Sequence, residues 1–273
     1  MSDRVAIAPI QRRGAGVPVQ DQDLVAVEAP LAATLRSADG GRTLALGLLM
    51  RTPGDDEDLI RGFLHGEGII QSRDEIAGIR LTPGTSRHET DTVEVTLASV
   101  IDLEAVIAAR AQLPTSACGL CGRLEITAAD RRGDVPKTLV FSTEMIARLP
   151  AGLRNGQTVF AETGGLHAAA LCDARGLVRV LREDVGRHNA VDKVVGAALA
   201  DGLLPASSSV LAVSGRVAYE IVQKAALAGV AAIVAVGAPS HLAVEAARST
   251  GLTLIGFARD GRFNVYSGFE RIE

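Results

Sequence analysis

Two of the chain's three cysteines stand three positions apart in Cys118-Gly119-Leu120-Cys121, and these thiols are the first candidates for chemistry. Leu113-Pro114-Thr115-Ser116-Ala117 precedes them and Gly122-Arg123 follows, a setting of small residues and turn formers that predicts a loop. Such a pair suits zinc binding, disulfide exchange or carriage of a sulfur atom. Each use needs the thiolate, so a thiol pKa of about 8.5 must fall or a neighbour must take the proton. Arg123, Arg187 and His188 are the candidate sources of positive charge.

A second chemistry is anion binding. Ser214-Gly215-Arg216, Gly237-Ala238-Pro239-Ser240 and Ala258-Arg259-Asp260-Gly261-Arg262 each follow an apolar run. In open α/β sheets ligands collect where strands end. Small residues there admit backbone N–H groups to a phosphate, and arginines can hold it bidentately. Glu183-Asp184-Val185-Gly186-Arg187-His188-Asn189 is dense in donors for the start of an apolar helix. Its plainer reading makes Asp184 a helix cap and pairs His188 with Asp192 one turn on. Likewise His167, closing Thr163-Gly164-Gly165-Leu166-His167, reads as a hydrogen-bonded core histidine, and Cys172 as a small buried hydrophobe.

These residues need a scaffold, and the hydropathy pattern supplies one. Val210–Val213, Ala231–Val236 and Leu252–Phe257 are buried-strand runs separated by helical stretches, which predicts parallel strands with crossover helices. A further amphipathic helix carries Val191, Val194, Val195, Ala198 and Leu199. The first half alternates differently. Strand patterns at Leu24–Val27, Leu44–Leu49 and Val93–Leu97 accompany helices beginning after the acidic run Asp55–Asp58 and spanning Leu103 to Ala111. The acids complement the helix dipole and need no metal. The expected organisation is a disordered tail over 1–22, an α+β domain over 23–137 ending in the CxxC loop, and an α/β domain over 138–273.

Composition narrows the class. The 273 residues are 47% hydrophobic but only 3% aromatic, with no Trp, so the core must be aliphatic. A formal charge of −4 argues against a general nucleic-acid binder. No apolar run reaches the length of a membrane span, and the N-terminal Met1-Ser2-Asp3-Arg4 lacks a signal-peptide pattern. An odd cysteine count fits a reducing cytoplasm better than a disulfide framework.

Taken in order, Cys118–Gly122, Thr163–His167, Arg182–Lys193, Ser214–Arg216 and Gly256–Tyr266 resemble the FdhD family, formate dehydrogenase accessory sulfurtransferases. The resemblance implies a cytoplasmic, homodimeric sulfur carrier whose C-terminal part is a three-layer α/β/α domain of cytidine deaminase-like fold beside a smaller N-terminal α+β domain. A cysteine desulfurase would load a persulfide onto Cys118. The sulfur would pass to the bis-molybdopterin guanine dinucleotide form of the molybdenum cofactor before its insertion into formate dehydrogenase. Cys121 would accept the sulfur or release it by forming a disulfide with Cys118. The segment Phe257, Ala258, Arg259, Asp260, Gly261 and Arg262 would bind that cofactor, with Ser214, Gly215, Arg216 and His188 beside it. No permanent metal is implied.

The main rival is a zinc deaminase, since His65-Gly66-Glu67 followed by the CxxC pair imitates a known ligand pattern. Pro114 is not adjacent to Cys118, and His65 closes a helix pattern rather than opening one; both oppose it. A thioredoxin-like enzyme would place CxxC at the start of a helix. A zinc-knuckle adaptor would share its site across a dimer.

Overall fold

A computed structural model describes residues 3–14, 16–39, 41–84, 90–99 and 132–273. Cys118, Cys121, Arg123 and the helix expected from Leu103 to Ala111 lie outside the described residues.

The first elements are β1 (Val5–Arg12) and β2 (Val19–Ala26), an antiparallel hairpin. Residues 5–12 and 19–22 are therefore strands and not part of the disordered tail that the polar, glycine-rich composition of 1–22 suggested. The apolar run Val5-Ala6-Ile7-Ala8 pairs with Asp23-Leu24-Val25-Ala26, and Arg4 anchors the base through a 2.7 Å bond to Asp55. Next, β3 (Ala29–Arg36), β4 (Thr43–Arg51), β5 (Ile76–Thr82) and β6 (Asp91–Leu97) form a four-stranded sheet in the order β4-β3-β6-β5. Between β4 and β5 lies α1 (Asp56–Gly66). Leu59, Ile60 and Leu64 of this helix pack on Leu31, Leu35, Val93 and Val95 of the sheet.

The second half supplies α2 (Thr143–Asn155), α3 (Thr158–Thr163), β7 (His167–Cys172), β8 (Val178–Asp184) and α4 (Arg187–Ala200). It continues with β9 (Val210–Val213), α5 (Tyr219–Leu227), β10 (Ala232–Ala235), α6 (His241–Ser249), β11 (Thr253–Arg259) and β12 (Arg262–Ser267). The strand order is β12-β11-β10-β9-β7-β8. The three apolar runs do pair in parallel, β9 on β10 and β10 on β11. The flanking strands β7, β8 and β12 run antiparallel.

Both faces of this sheet are covered, which is why its central strands are apolar at every position. Leu211, Val213, Ile233 and Leu254 meet α4, α5 and α6 on one face. Val210, Ala212, Val234 and Ile255 meet Ile146, Leu149 and Leu153 of α2 on the other. The expected three-layer α/β/α arrangement is present among the described residues. Val217 forms a bridge to Pro239 before α5 begins.

The two halves meet where α1 crosses α4. A Cβ on Gly62 would lie 1.8 Å from the Asp192 carbonyl oxygen, and one on Gly196 would lie 1.8 Å from that of Asp58. Each helix thus presses its backbone into the other at a point that any side chain would block. Gly62→Ala or Gly196→Ala should destabilise the fold by roughly 3 kcal/mol or more through overpacking, measured by urea unfolding. Stability equal to the parent would show that the crossing can relax.

Candidate functional site

The ends of β8, β9, β10 and β11 and the start of β7 converge at one edge of the large sheet, and buried electrostatics shape the first of them. Asp184 is fully buried. Its carboxylate accepts from Lys193 Nζ at 2.8 Å, Thr52 N–H at 3.1 Å, Gly186 N–H at 2.8 Å and Asn189 Nδ2 at 2.9 Å. Lys193 also donates to the Thr52 carbonyl at 2.8 Å, and Asn189 to that of Met50 at 2.7 Å. Desolvating an ion pair is tolerable only when its remaining donors and acceptors are satisfied, and here they are. The dense polar run is therefore partly a structural clamp, holding the turn that begins α4. The neighbouring Glu183 serves structure too, accepting from the N–H groups of Val159 and Phe160 at the start of α3.

The loops after the parallel strands are joined backbone to backbone. Gly237 N–H donates to the Gly215 carbonyl at 3.2 Å, and Phe257 N–H donates to the Gly237 carbonyl at 3.0 Å. A Cβ on Gly237 would lie 2.7 Å from the Gly215 oxygen, so a side chain would separate the two loops. Ser214 accepts from Ala168 N–H through its Oγ at 2.9 Å, which fastens this corner to β7.

The third strand end differs from expectation. No helix follows β11. Arg259 pairs with Arg262 across the two-residue turn Asp260-Gly261, where φ is 53° and 73°; positive φ at both central residues is the hairpin geometry that suits Asp-Gly. Two arginines directly opposite on adjacent strands repel, and both are exposed. An irregularity in the ladder between Gly256 and Arg259 leaves Phe257 at φ 54° and 40% exposed. Backbone strain of this kind at an aromatic residue is associated with ligand contacts. Ala258 is buried and serves packing.

His167, Arg187, His188 and Arg216 gather around Gly215. A Cβ on Gly215 would lie 3.3 Å from His167 Nδ1 and 3.6 Å from Arg187 Cβ. Burial, followed by the charges of Arg187 and Arg216, holds the His167 pKa down. Burial and the cations Lys224 and Arg187 push that of His188 down to about 4. His188 does not pair with Asp192, which bonds Lys224 instead. Its Nε2 lies 3.8 Å from Glu220. From the sequence alone His167 reads more readily as a core histidine than as a catalyst, and Arg187 as a source of positive charge, with neither tied to this edge. Their position on either side of a strand-end glycine was the available signal, and it required knowing that β7 lies beside β9.

The acidic run at α1 pairs with arginines: Asp55 with Arg4, Asp56 with Arg51, and Asp58 with Arg182. His65 is buried at the end of α1, with no partner for Nδ1 among the described residues. Burial, then Arg132, pushes its pKa down to about 4. Cys172 is buried as expected, and burial pushes its thiol up to about 11. Among the described residues, no helix is long and apolar enough to cross a membrane.

The FdhD/NarQ family model matches residues 27–273. The chain belongs to the FdhD/NarQ family. The sulfur carrier protein FdhD of Nocardia farcinica is 43% identical over 261 residues, covering 93% of this chain and 90% of the relative. Those of Streptomyces avermitilis and Thermoplasma acidophilum are 44% and 42% identical, covering 96% and 95% of this chain and 93% and 90% of their own. A crystal structure from Desulfotalea psychrophila, described as a formate dehydrogenase accessory protein, superposes with a TM-score of 0.76 at 24% identity. It covers 99% of this chain and 100% of its own, so the FdhD/NarQ chain and that protein share a fold throughout. The β1–β2 hairpin lies wholly before the segment that the family model matches.

The buried histidine has a thermodynamic consequence. With a folded pKa near 4 against 6.5 unfolded, His65 favours folding fully above the unfolded value. That contribution is lost as pH falls through about 6.5 towards 4, where the unfolded chain binds the extra proton. It amounts to roughly 3 kcal/mol. His65→Gln should flatten the pH dependence of urea unfolding between pH 6.5 and 4; an unchanged slope would assign the acid sensitivity elsewhere.

Proposed function

We propose that this chain is a sulfur carrier serving formate dehydrogenase. The reading is carried by its 43% identity, across 93% of its length, to a sulfur carrier protein FdhD. The paired thiols of Cys118 and Cys121 supply the chemistry. The Cys118 thiolate attacks the outer sulfur of a cysteine desulfurase persulfide. The new bond joins Cys118 to that sulfur, the bond within the desulfurase persulfide breaks, and the desulfurase cysteine leaves as thiolate. Gly119 and Gly122 keep the flanks slim, so the sulfur can reach a second partner. Cys121 lies near enough in sequence to accept the sulfur or to displace it by closing a disulfide.

The acceptor is the molybdenum cofactor in its bis-molybdopterin guanine dinucleotide form, carried as cargo and not held as a resident metal. Its nucleotide pyrophosphates suit the arginine-bearing sheet edge. The exposed Arg216, Arg259 and Arg262 offer charge there, and the opposed Arg259 and Arg262 gain most from an anion between them. Phe257, turned outward by its positive φ, offers a face for a guanine base. Gly215 and Gly261 leave room beside these side chains, His188 borders the edge, and the Ser214 hydrogen bond and the buried Ala258 hold it in shape. The family assignment supports a cytidine deaminase-like fold for the second half and a homodimer working in the cytoplasm.

Incubation with cysteine and a desulfurase should add about 32 Da, one sulfur atom, at Cys118, read by peptide mass spectrometry. Absence of the shift rejects the carrier reading. Cys118→Ala should abolish formate dehydrogenase activity in cells while leaving the unfolding curve unchanged; activity retained at the parental level would reassign the acceptor.

Guanosine diphosphate should bind, and Arg259→Ala should weaken it about tenfold through loss of a charge-assisted contact. Equal affinity in the variant, by calorimetry, would move the nucleotide elsewhere.

A further inference from the structure

His188 is held neutral beside a carboxylate it does not touch. Its Nε2 and the Nε of Arg187 are both buried without a hydrogen-bond partner among the described residues, although such groups in a finished site are normally paired. The nearest carboxylate oxygen is Glu220 Oε2 at 3.8 Å, about an ångström beyond a charge-assisted hydrogen bond. What opposes protonation surrounds the ring. Arg187 stands on its own helix, His167 faces it from β7, and Lys224 faces it from α5 while bonded to Asp192. His167 in turn faces Arg187, Arg216 and, with opposite sign, Asp184. Burial opposes protonation of His188 first, and the charges of Lys224 and Arg187 follow; at His167 the cations are Arg187 and Arg216, so Arg187 is the guanidinium common to both rings.

We propose that Arg187 and Arg216, with His167, form an oxyanion subsite, and that His188 and Glu220 are a latch beneath it, closed by one proton when the subsite fills. The inference rests on the anionic cargo proposed above. An anion on the guanidiniums offsets the share of the field that Arg187 exerts on the imidazole, and a closed contact with Glu220 supplies the rest of the stabilisation of the imidazolium. His188 then takes one proton from solvent, and its Nε2–H donates to Glu220, drawing the start of α4 towards α5. Ligand binding, proton uptake and closure of the two helices become a single equilibrium. The orphaned ring nitrogen is the open state of this contact. Release of the anion restores the field and returns the proton to solvent, so the cargo leaves more readily at higher pH.

The sign follows from linkage. Bound ligand raises the His188 pKa, so affinity strengthens as pH falls through the bound-state value and levels off at the free-state value. If the ring returns from about 4 to its ordinary 6.5, affinity should be about 30-fold higher at pH 5 than at pH 8. Diguanosine diphosphate is the probe, because its disubstituted phosphates keep a fixed charge across that range. Calorimetry at pH 6 in two buffers of different ionisation enthalpy should show uptake of roughly 0.7 proton per site. His188→Gln should remove the uptake and keep measurable binding, and Glu220→Gln should lower the uptake. The His188 ring signal in the NMR spectrum of the unaltered protein should titrate at higher pH with ligand than without, which tests the latch even if a variant fails to fold. Binding with equal affinity at pH 5 and 8 and no uptake overturns the latch and leaves the sulfur-carrier reading standing. Uptake that persists unchanged in His188→Gln also overturns it, placing the proton on His167. No binding at any pH overturns the oxyanion subsite together with the proposed nucleotide edge, while sulfur loading of Cys118 stays a separate measurement.

Discussion

The carboxylate of Asp184 organises this molecule, because it is wholly buried and four donors converge on it. Two come from the turn into α4, one from Lys193 less than two turns along the same helix, and one from the backbone of Thr52 before α1. Removing any of them would leave a charge or a donor stranded in low dielectric, which costs far more than an exposed pair contributes. The pair therefore fixes how α4 leaves the sheet and how the loop before α1 sits against it. Arg187 and His188 occupy the first turn of that helix, so their positions at the sheet edge follow from the same constraint.

The glycine contacts extend this control from one loop to the whole edge. Gly62 and Gly196 let α1 and α4 touch backbone to backbone, and Gly215 and Gly237 let consecutive strand-end loops bond directly. Missing side chains here bring the backbone of one element within hydrogen-bonding or van der Waals reach of another. Cations are then set on a rigid rim instead of on free loops. Arg259 and Arg262 are held opposite each other by a two-residue turn, an arrangement that repels itself until a counter-charge arrives. Strain at Phe257 and repulsion between these arginines are both local costs, sustained by the well-packed strands beneath.

Much of the scaffold was legible because its periods are strong. Continuous apolar runs with helices between them specified β9, β10 and β11 as parallel, since only strands covered on both faces avoid alternation. The acidic run before α1 was readable as a helix terminus, and Cys172 as a buried hydrophobe. Of the hairpin at residues 5–26 only the strand pattern at Leu24–Val27 was legible, because the Gly, Gln, Arg and Asp residues between its two apolar ends dominate the composition. Nor was the partner of His188. Spacing along a helix suggested Asp192, but Lys224 from α5 takes that carboxylate and leaves the histidine facing Glu220.

By itself, the sequence determined which residues could do chemistry and which segments must be buried, because thiol spacing and hydropathy period are local properties of the chain. The aliphatic composition likewise required helices layered on a sheet. Only the tertiary structure decided which charges meet. Asp184 with Thr52, Lys224 with Asp192, and His167 with Arg187 and Arg216 are separated along the chain or belong to different elements, and their energies depend on distance and desolvation. Those two quantities come into being only when the elements pack.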